Sequence, residues 1–185
     1  MRAAVFVDRD GVLNRAEVRD GKPYGPRTVD KFRLLPGVSV AVQRLRDAGF
    51  LVVVVTNQPD IGNGFVARDV VEAMHHALYR RARVDAIEMC PHRQNEGCGC
   101  RKPKPGLLIS AADRLAIDLR RSFLVGDRAQ DILAGRAAGC YTVFVDRGYR
   151  EPRPVEPDAV VRSLPAAVRR IIKVATTTTS RGGRR

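Results

Sequence analysis

The 185-residue sequence contains no tryptophan, and aromatic residues make up only 5% of it. Few rings are therefore available for the base stacking that single-strand nucleic-acid binders use. The longest uninterrupted apolar run, residues 50–55, is far shorter than the roughly 20 residues that cross a bilayer. The apolar stretch near the N-terminus is too short for a signal-peptide core. We therefore expect a cytoplasmic protein without membrane association.

Acidic residues are fewer than basic ones. The sequence has 20 Asp and Glu and 33 Lys and Arg, which gives a formal charge of +13. This charge favours anionic partners such as phosphorylated metabolites, nucleic acid or an anionic membrane, without choosing among them. The length suits one domain with a proper core. We expect a single monomeric domain over residues 1–175, followed by a basic, threonine-rich tail at 176–185 whose composition predicts disorder.

Cysteines are also few, and in a reducing compartment four of them are thiols or metal ligands rather than disulfides. Three cysteines and a histidine follow the pattern C-x-H-x5-C-x-C, at Cys90, His92, Cys98 and Cys100. Such a set predicts a closed, tetrahedral, structural Zn²⁺ site, and the alternative is free thiols beside a surface histidine. Cys140 is interpreted as a small core residue. His75 and His76, within a predicted helix, are expected at the surface.

Short β-branched runs alternate with helical patterns along the chain. The predicted strands are residues 3–8, 50–57, 84–90, 122–127 and 141–146. The predicted helices are residues 36–49, 67–83, 105–117, 129–139 and 163–175. This alternation predicts an α/β fold with a doubly wound, Rossmann-like, mostly parallel sheet.

Polar residues follow the apolar runs where the predicted strands end, which is the edge at which open α/β sheets bind ligands. They are Asp8 and Asp10 after strand one, Thr56, Asn57 and Gln58 after strand two, and Asp127, Arg128 and Asp131 after strand four. Lys102 precedes a predicted helix start. Four separate stretches of sequence are therefore expected to share one crevice.

The chemistry that fits these residues is phosphoryl transfer to a carboxylate. Asp8 would be the nucleophile, and a bound Mg²⁺ would keep it ionised while neutralising the phosphate. Asp10 would be the general acid to the departing oxygen and then the base to water. Asp127 would complete a magnesium site of few protein oxygens. Lys102 and a threonine hydroxyl would hold the remaining phosphate oxygens.

A structural interpretation of the same residues is a turn or a calcium loop. An EF-hand, however, needs Gly at its sixth and Glu at its twelfth position, where this chain has Leu13 and Arg19. Gly11 permits the tight turn that would bring both aspartates to one phosphate. Asp131 could simply favour the start of the following helix, and we expect a supporting role for it.

The order of these motifs resembles the haloacid dehalogenase superfamily of phosphatases. The matching segments are DRDGV (8–12), Thr56, Lys102 and GDRAQD (126–131). The resemblance implies that Asp8 is the nucleophile and Asp10 the acid and base. It also implies that Mg²⁺ is held by Asp8, Asp127 and the main-chain carbonyl of Asp10.

Further motifs, CPH…CGCRKPKPG, VVVVTNQ…IGNG, LLPGV and VGDRAQD, resemble the heptose 1,7-bisphosphate 7-phosphatases and the related histidinol-phosphate phosphatases. These families have no cap domain, which implies that loops at 14–27 and 58–65 and the zinc loop form the substrate pocket. The resemblance also implies substrate contacts from Arg101 and Arg128. The chain departs from the usual Ser-Gly-Ile-Ala-Arg-Gly after Asn-Gln, since it reads Pro-Asp-Ile-Gly-Asn-Gly at 59–64.

The function predicted from these patterns is hydrolysis of a sugar phosphate, most simply the 7-phosphate of a heptose bisphosphate. Histidinol phosphate stays open as a substrate because the 59–64 departure lies in a pocket loop. A polynucleotide 3′-phosphatase shares the aspartate pair, and a nucleic-acid-binding zinc protein would use the net charge. Small pocket loops and scarce aromatics disfavour the polynucleotide 3′-phosphatase, and the nucleic-acid-binding alternative stays open.

Overall fold

A six-stranded parallel sheet forms the centre of the computed structural model, which describes residues 1–182 and side chains as far as Thr177. The sheet strands are β1 (Ala4–Val7), β4 (Leu51–Asn57), β5 (Ala86–Cys90), β6 (Phe123–Gly126), β7 (Tyr141–Val145) and β8 (Ala159–Val161). Their spatial order is β5-β4-β1-β6-β7-β8. The strand order reverses at β1, which makes its carboxyl end the expected binding crevice.

Six helices accompany the sheet in the described part of the chain. They are α1 (Val38–Asp47), α2 (Pro59–Gly62), α3 (Arg68–Ala82), α4 (Gly106–Leu115), α5 (Ala129–Ala137) and α6 (Leu164–Gly182). Two single-turn 3₁₀ segments lie at Val29–Lys31 and Leu119–Arg121. No helix among the described residues has the length and apolar character needed to cross a membrane.

Alternate residues of the central strands pack into two separate cores. Val5, Val7 and Val52 face one core, to which α1, α3 and α6 contribute, whereas Phe6 and Val53 face the other, beneath α4 and α5. Because both faces are covered, the strands are continuous apolar runs rather than alternating ones. The sequence prediction of a doubly wound sheet is therefore confirmed.

The structure adds elements that the sequence patterns did not predict. An antiparallel hairpin of β2 (Glu17–Arg19) and β3 (Lys22–Tyr24) occupies the predicted loop at 14–27. Strand β8, at one edge of the sheet, and the four-residue α2 were also not predicted. All four segments have four residues or fewer, which is too short for a periodic pattern to be visible.

Helix α6 continues to Gly182, so residues 176–182 are helical where the composition predicted disorder. The hydroxyls of Thr176 and Thr177 each donate to the carbonyl of Lys173 at 2.9 Å. Both hydroxyls are thus satisfied by hydrogen bonds to the preceding turn of the helix. Residues 183–185 of the predicted tail lie outside the described residues.

Candidate active site and metal centre

Lys102 lies at the centre of the crevice at the carboxyl end of β1. Its Nζ is 2.7 Å from Asp8 Oδ1 and 2.6 Å from Asp131 Oδ1, and it donates to the carbonyl of Val55 at 2.7 Å. Only 1% of the side chain is exposed. Burial alone would lower the pKa of Lys102, but the charges of Asp131 and Asp8 outweigh it and raise the pKa. The ammonium is therefore a fixed positive charge beside Asp8.

Three buried carboxylates, those of Asp8, Asp127 and Asp131, bring oxygen atoms within 4.8 Å of one another. Burial raises the pKa of Asp8 to about 6, against the opposing charge of Lys102. Burial, followed by the charges of Asp8 and Asp131, raises the pKa of Asp127 well above its ordinary value. Neither oxygen of Asp127 receives a regular hydrogen bond within the described part of the chain, although the Tyr149 hydroxyl lies near enough to lower this pKa.

One ammonium beside three buried carboxylates leaves an excess of negative charge, which is costly away from water. A divalent cation with a preference for oxygen ligands would neutralise it. Asp131 is already engaged, because its Oδ2 accepts from the main-chain N–H of Arg128 at 3.0 Å and its Oδ1 faces Lys102. Asp8 and Asp127 are therefore better placed than Asp131 to hold such a cation, and their role as ligands stays a prediction.

The turn after β1 requires glycine at position 11. Gly11 has a φ of +87°, and a Cβ there would lie 1.8 Å from Asp127 Oδ2. Its main-chain carbonyl accepts a hydrogen bond from Arg147 Nε at 2.7 Å. The chain thus passes directly against the candidate metal ligand, which a larger residue would prevent.

Asp10 is held by three side chains around its carboxylate. Arg9 contacts both oxygens, the shortest distance being 2.9 Å from Nη2 to Oδ2, and Asn14 and Gln58 each donate from an amide nitrogen at 2.8 Å. Burial would raise the pKa of Asp10, but the charge and hydrogen bonds of Arg9 and the two amide hydrogen bonds lower it. The carboxylate is thereby ionised and oriented, as a base for water needs to be.

Arg9 itself is fully buried, with no exposed surface. Its Nη1 lies 3.2 Å from Nε2 of His75, and its guanidinium lies 5.9 Å from the centre of the Phe32 ring. The expectation that His75 is a surface residue is wrong, because the residue is 8% exposed and faces this arginine, whereas His76 is exposed. Burial, and then the charge of Arg9, lowers the pKa of His75 to about 4, so the ring is neutral and can accept a hydrogen bond.

Thr56, Asn57 and Gln58 follow β4 and reach the same crevice, but the two amides have partners within the protein. Gln58 Nε2 donates to Thr56 Oγ1 and to Asp10 Oδ2, both at 2.8 Å. Asn57 donates to the main-chain carbonyl of Lys102 and accepts from its N–H, both at 3.1 Å. The phosphate contacts predicted from the sequence for these residues stay a prediction, and within the protein the two amides hold Asp10, Thr56 and Lys102 in position.

A cavity of about 320 Å³ opens above these residues. It is lined by the β2–β3 hairpin, the segment after β4 and the chain around Arg101 and Arg128. Arg101 Nη1 is buried without a partner among the described residues, whereas Arg128 Nε pairs with Glu151 Oε2 at 2.8 Å. Arg101 therefore brings to the cavity wall a guanidinium that no carboxylate pairs with among the described residues, and an anionic group is the complementary ligand.

The four residues of the C-x-H-x5-C-x-C pattern converge after β5. Cys98 Sγ lies 3.6 Å from the sulfurs of both Cys90 and Cys100, and His92 Nδ1 lies 3.5 Å and 3.2 Å from those two sulfurs. A tetrahedron with Zn–S bonds of about 2.3 Å has edges of about 3.8 Å. The cluster is therefore compatible with zinc. Cys140 is buried elsewhere, as predicted.

The family described as HAD-hydrolase-like matches residues 99–167. The D-glycero-beta-D-manno-heptose-1,7-bisphosphate 7-phosphatase of Pasteurella multocida is 38% identical over 170 residues, covering 85% of this chain and 87% of the relative. The enzyme of the same name from Escherichia coli is 36% identical over 168 residues, covering 84% and 83%.

Solved structures are similar over nearly the whole chain. The D,D-heptose 1,7-bisphosphate phosphatase of B. bronchiseptica, crystallised with magnesium and phosphate, superposes with a TM-score of 0.80 at 32% identity. That match covers 94% of this chain and 99% of the solved one. The D,D-heptose 1,7-bisphosphate phosphatase of Burkholderia thailandensis has a TM-score of 0.67 at 27% identity, covering 92% and 99%.

Proposed function

Because the chain belongs to the haloacid dehalogenase-like hydrolases, in the family of the heptose-1,7-bisphosphate 7-phosphatases, we propose that it is a Mg²⁺-dependent phosphatase for the 7-phosphate of D-glycero-D-manno-heptose 1,7-bisphosphate. The observation that carries this proposal is the position of Asp8. Its carboxylate ends the central strand, 2.7 Å from a buried ammonium and beside two further carboxylates.

The reaction runs in two steps at the phosphorus atom. Asp10 takes up a proton from solvent before the first step. Asp8 attacks the phosphorus, the bond from phosphorus to the sugar oxygen breaks, and Asp10 gives that oxygen the proton. Asp10, now ionised, removes a proton from water, whose oxygen attacks the phosphorus. The bond from phosphorus to Asp8 breaks, inorganic phosphate leaves, and Asp10 returns its proton to solvent, so both aspartates are ionised again. Lys102 neutralises charge next to the reacting group throughout.

Mg²⁺ would be held by Asp8, by Asp127 and by the main-chain carbonyl of Asp10. When bound, it supplies positive charge that screens the carboxylate from the incoming phosphate. The oxygens of Asp127, which receive no regular hydrogen bond among the described residues, and the charge excess of the cluster support this assignment. Magnesium in the B. bronchiseptica structure supports it independently.

The second phosphate of the substrate is assigned to the cavity wall that carries Arg101. Its guanidinium has no carboxylate partner among the described residues and so favours an anion, and the exposed Lys22 of the hairpin lines the same cavity. Arg128 contributes less in this arrangement because Glu151 already neutralises it. The cavity volume of about 320 Å³ suits a small ligand.

A substrate panel tests the proposal. We expect the heptose bisphosphate to have the highest kcat/KM among three compounds, the others being histidinol phosphate and a 3′-phosphorylated oligonucleotide. Arg101→Ala should lower kcat/KM for the bisphosphate about 10- to 100-fold, because a charge-assisted contact is lost. Arg93→Ala, which removes an exposed arginine of the zinc loop, is the control. Preference for either other compound would contradict the proposed substrate.

We also propose that the cysteine and histidine cluster holds structural zinc. Protein purified without added metal should contain about one Zn per chain, and Cys98→Ser should lower zinc content, melting temperature and activity together. Cys140→Ala, which changes a buried cysteine outside the cluster, should keep the metal. A folded, fully active Cys98→Ser protein without zinc would refute the structural role.

A further inference from the structure

We propose that Asn57 is the residue that fixes Lys102 in place, rather than a ligand of the substrate phosphate. Its side-chain amide forms two hydrogen bonds with the main chain of Lys102, one to the carbonyl and one from the N–H, each 3.1 Å long. A side-chain amide that pairs with both polar groups of one residue restrains that residue's position and orientation. This inference is made within the proposed function and names a positioning residue for it.

The position of Asn57 in the fold explains why this contact matters. In the sheet register, Asn57 is paired with Cys90, the first residue of the metal cluster, and Gln58 N–H donates to the carbonyl of Cys90 at 2.8 Å. From Cys90 the chain runs through the cluster to Cys100 and reaches Lys102 two residues later. The loop is therefore closed at two points, by the cluster near Cys100 and by the amide at Lys102.

The restraint at Lys102 cannot come from helix or strand structure. Residues 91–105 lie between the end of β5 and the start of α4, outside both. Nevertheless, Lys102 must keep its Nζ within hydrogen-bond distance of both Asp8 and Asp131. A displacement of about 1 Å at a catalytic group can cost roughly 100-fold in rate. Asn57, from the rigid end of β4, supplies the missing restraint.

Chemical labelling tests the restraint without relying on activity. An amine-reactive reagent, with peptide mass spectrometry, compares Lys102, which is 1% exposed, with the exposed Lys104 in the same loop. In Asn57→Ala we expect labelling of Lys102 relative to Lys104 to rise at least about tenfold, as access follows local opening. In Asn95→Ala, which removes an exposed amide of the zinc loop, the ratio should stay at the wild-type value.

Kinetics of the same variants separate positioning from substrate binding. We expect kcat of Asn57→Ala to fall roughly 30- to 100-fold, with KM, zinc content and melting temperature close to those of Asn95→Ala. The isosteric Asn57→Asp replaces the amide N–H that donates to the Lys102 carbonyl with an oxygen that cannot donate. This variant should therefore also expose Lys102. A raised KM with Lys102 still protected would make Asn57 a phosphate ligand and overturn the inference.

The labelling result and the substrate result are independent of each other. If the wild-type protein hydrolyses no compound of the substrate panel, the proposed function fails, while the protection of Lys102 can still be measured. If the panel succeeds but Lys102 is equally protected in Asn57→Ala and the wild type, the positioning role fails alone.

Discussion

Asp8→Asn is expected to abolish phosphate release, with kcat reduced on the order of 10⁴-fold or more. An amide oxygen carries no negative charge, so it cannot form the acyl phosphate. The substitution keeps the size of the side chain but removes the charge that faces Lys102 Nζ at 2.7 Å. Steady-state phosphate release with the preferred substrate of the panel measures the effect.

We expect this variant to stay folded although it loses activity. One carboxylate fewer reduces the repulsion with Asp127 and Asp131, so the melting temperature should hold within a few degrees of the wild type. Asp113→Asn, at an exposed position on α4, controls for loss of one acidic residue and should retain full activity. Trapping with beryllium trifluoride should place the adduct on Asp8. If the activity of Asp8→Asn is within tenfold of the wild type, Asp8 is not the nucleophile.

Lys102→Met is expected to remove activity and stability together. Methionine has a similar length but no charge, so Asp8 and Asp131 would be buried without their shared counter-charge. Removing one partner of a buried ion pair costs about 3–5 kcal/mol, and loss of a charge at the reacting phosphate costs roughly 10²- to 10³-fold in kcat. Urea unfolding and steady-state kinetics measure the two effects.

A second substitution separates these two losses. Adding Asp131→Asn to Lys102→Met removes one of the two orphaned carboxylates, so part of the stability should return while kcat stays low. Lys173→Met, at an exposed position on α6, is the matched control and should be active and stable. Recovery of activity in the double variant would show that Lys102 is structural only.

The local sequence patterns predicted the core of this fold well. The helical spacing of Val38, Ala41, Val42 and Leu45 predicted the buried face of α1, and all four side chains are buried in the structure. The apolar run of β4 predicted a strand covered on both faces, because period and β-branching are local properties. Polar residues at strand ends, with Asp8 first among them, predicted which edge of the sheet carries the site.

Residues whose surroundings come from distant parts of the chain were harder to predict. His75 has the pattern of an exposed helical residue, but Arg9, 66 positions earlier in the sequence, makes it a buried partner. Asn57 and Gln58 resembled phosphate ligands because they follow a strand. In the structure their amides contact Lys102, 45 positions away, and Asp10, 48 positions away, and the sequence patterns did not predict these contacts.

The sequence by itself determined the order of the five longest strands and five longest helices, the carboxylates at the end of β1 and the four residues of the cysteine and histidine cluster. All of these follow from residue type and short spacing, which the sequence itself shows. Only the tertiary structure decided which polar group each buried side chain contacts. Those contacts depend on where β-strand register and loop closure bring distant residues together, and the cost of leaving a buried charge or amide unpaired selects among them.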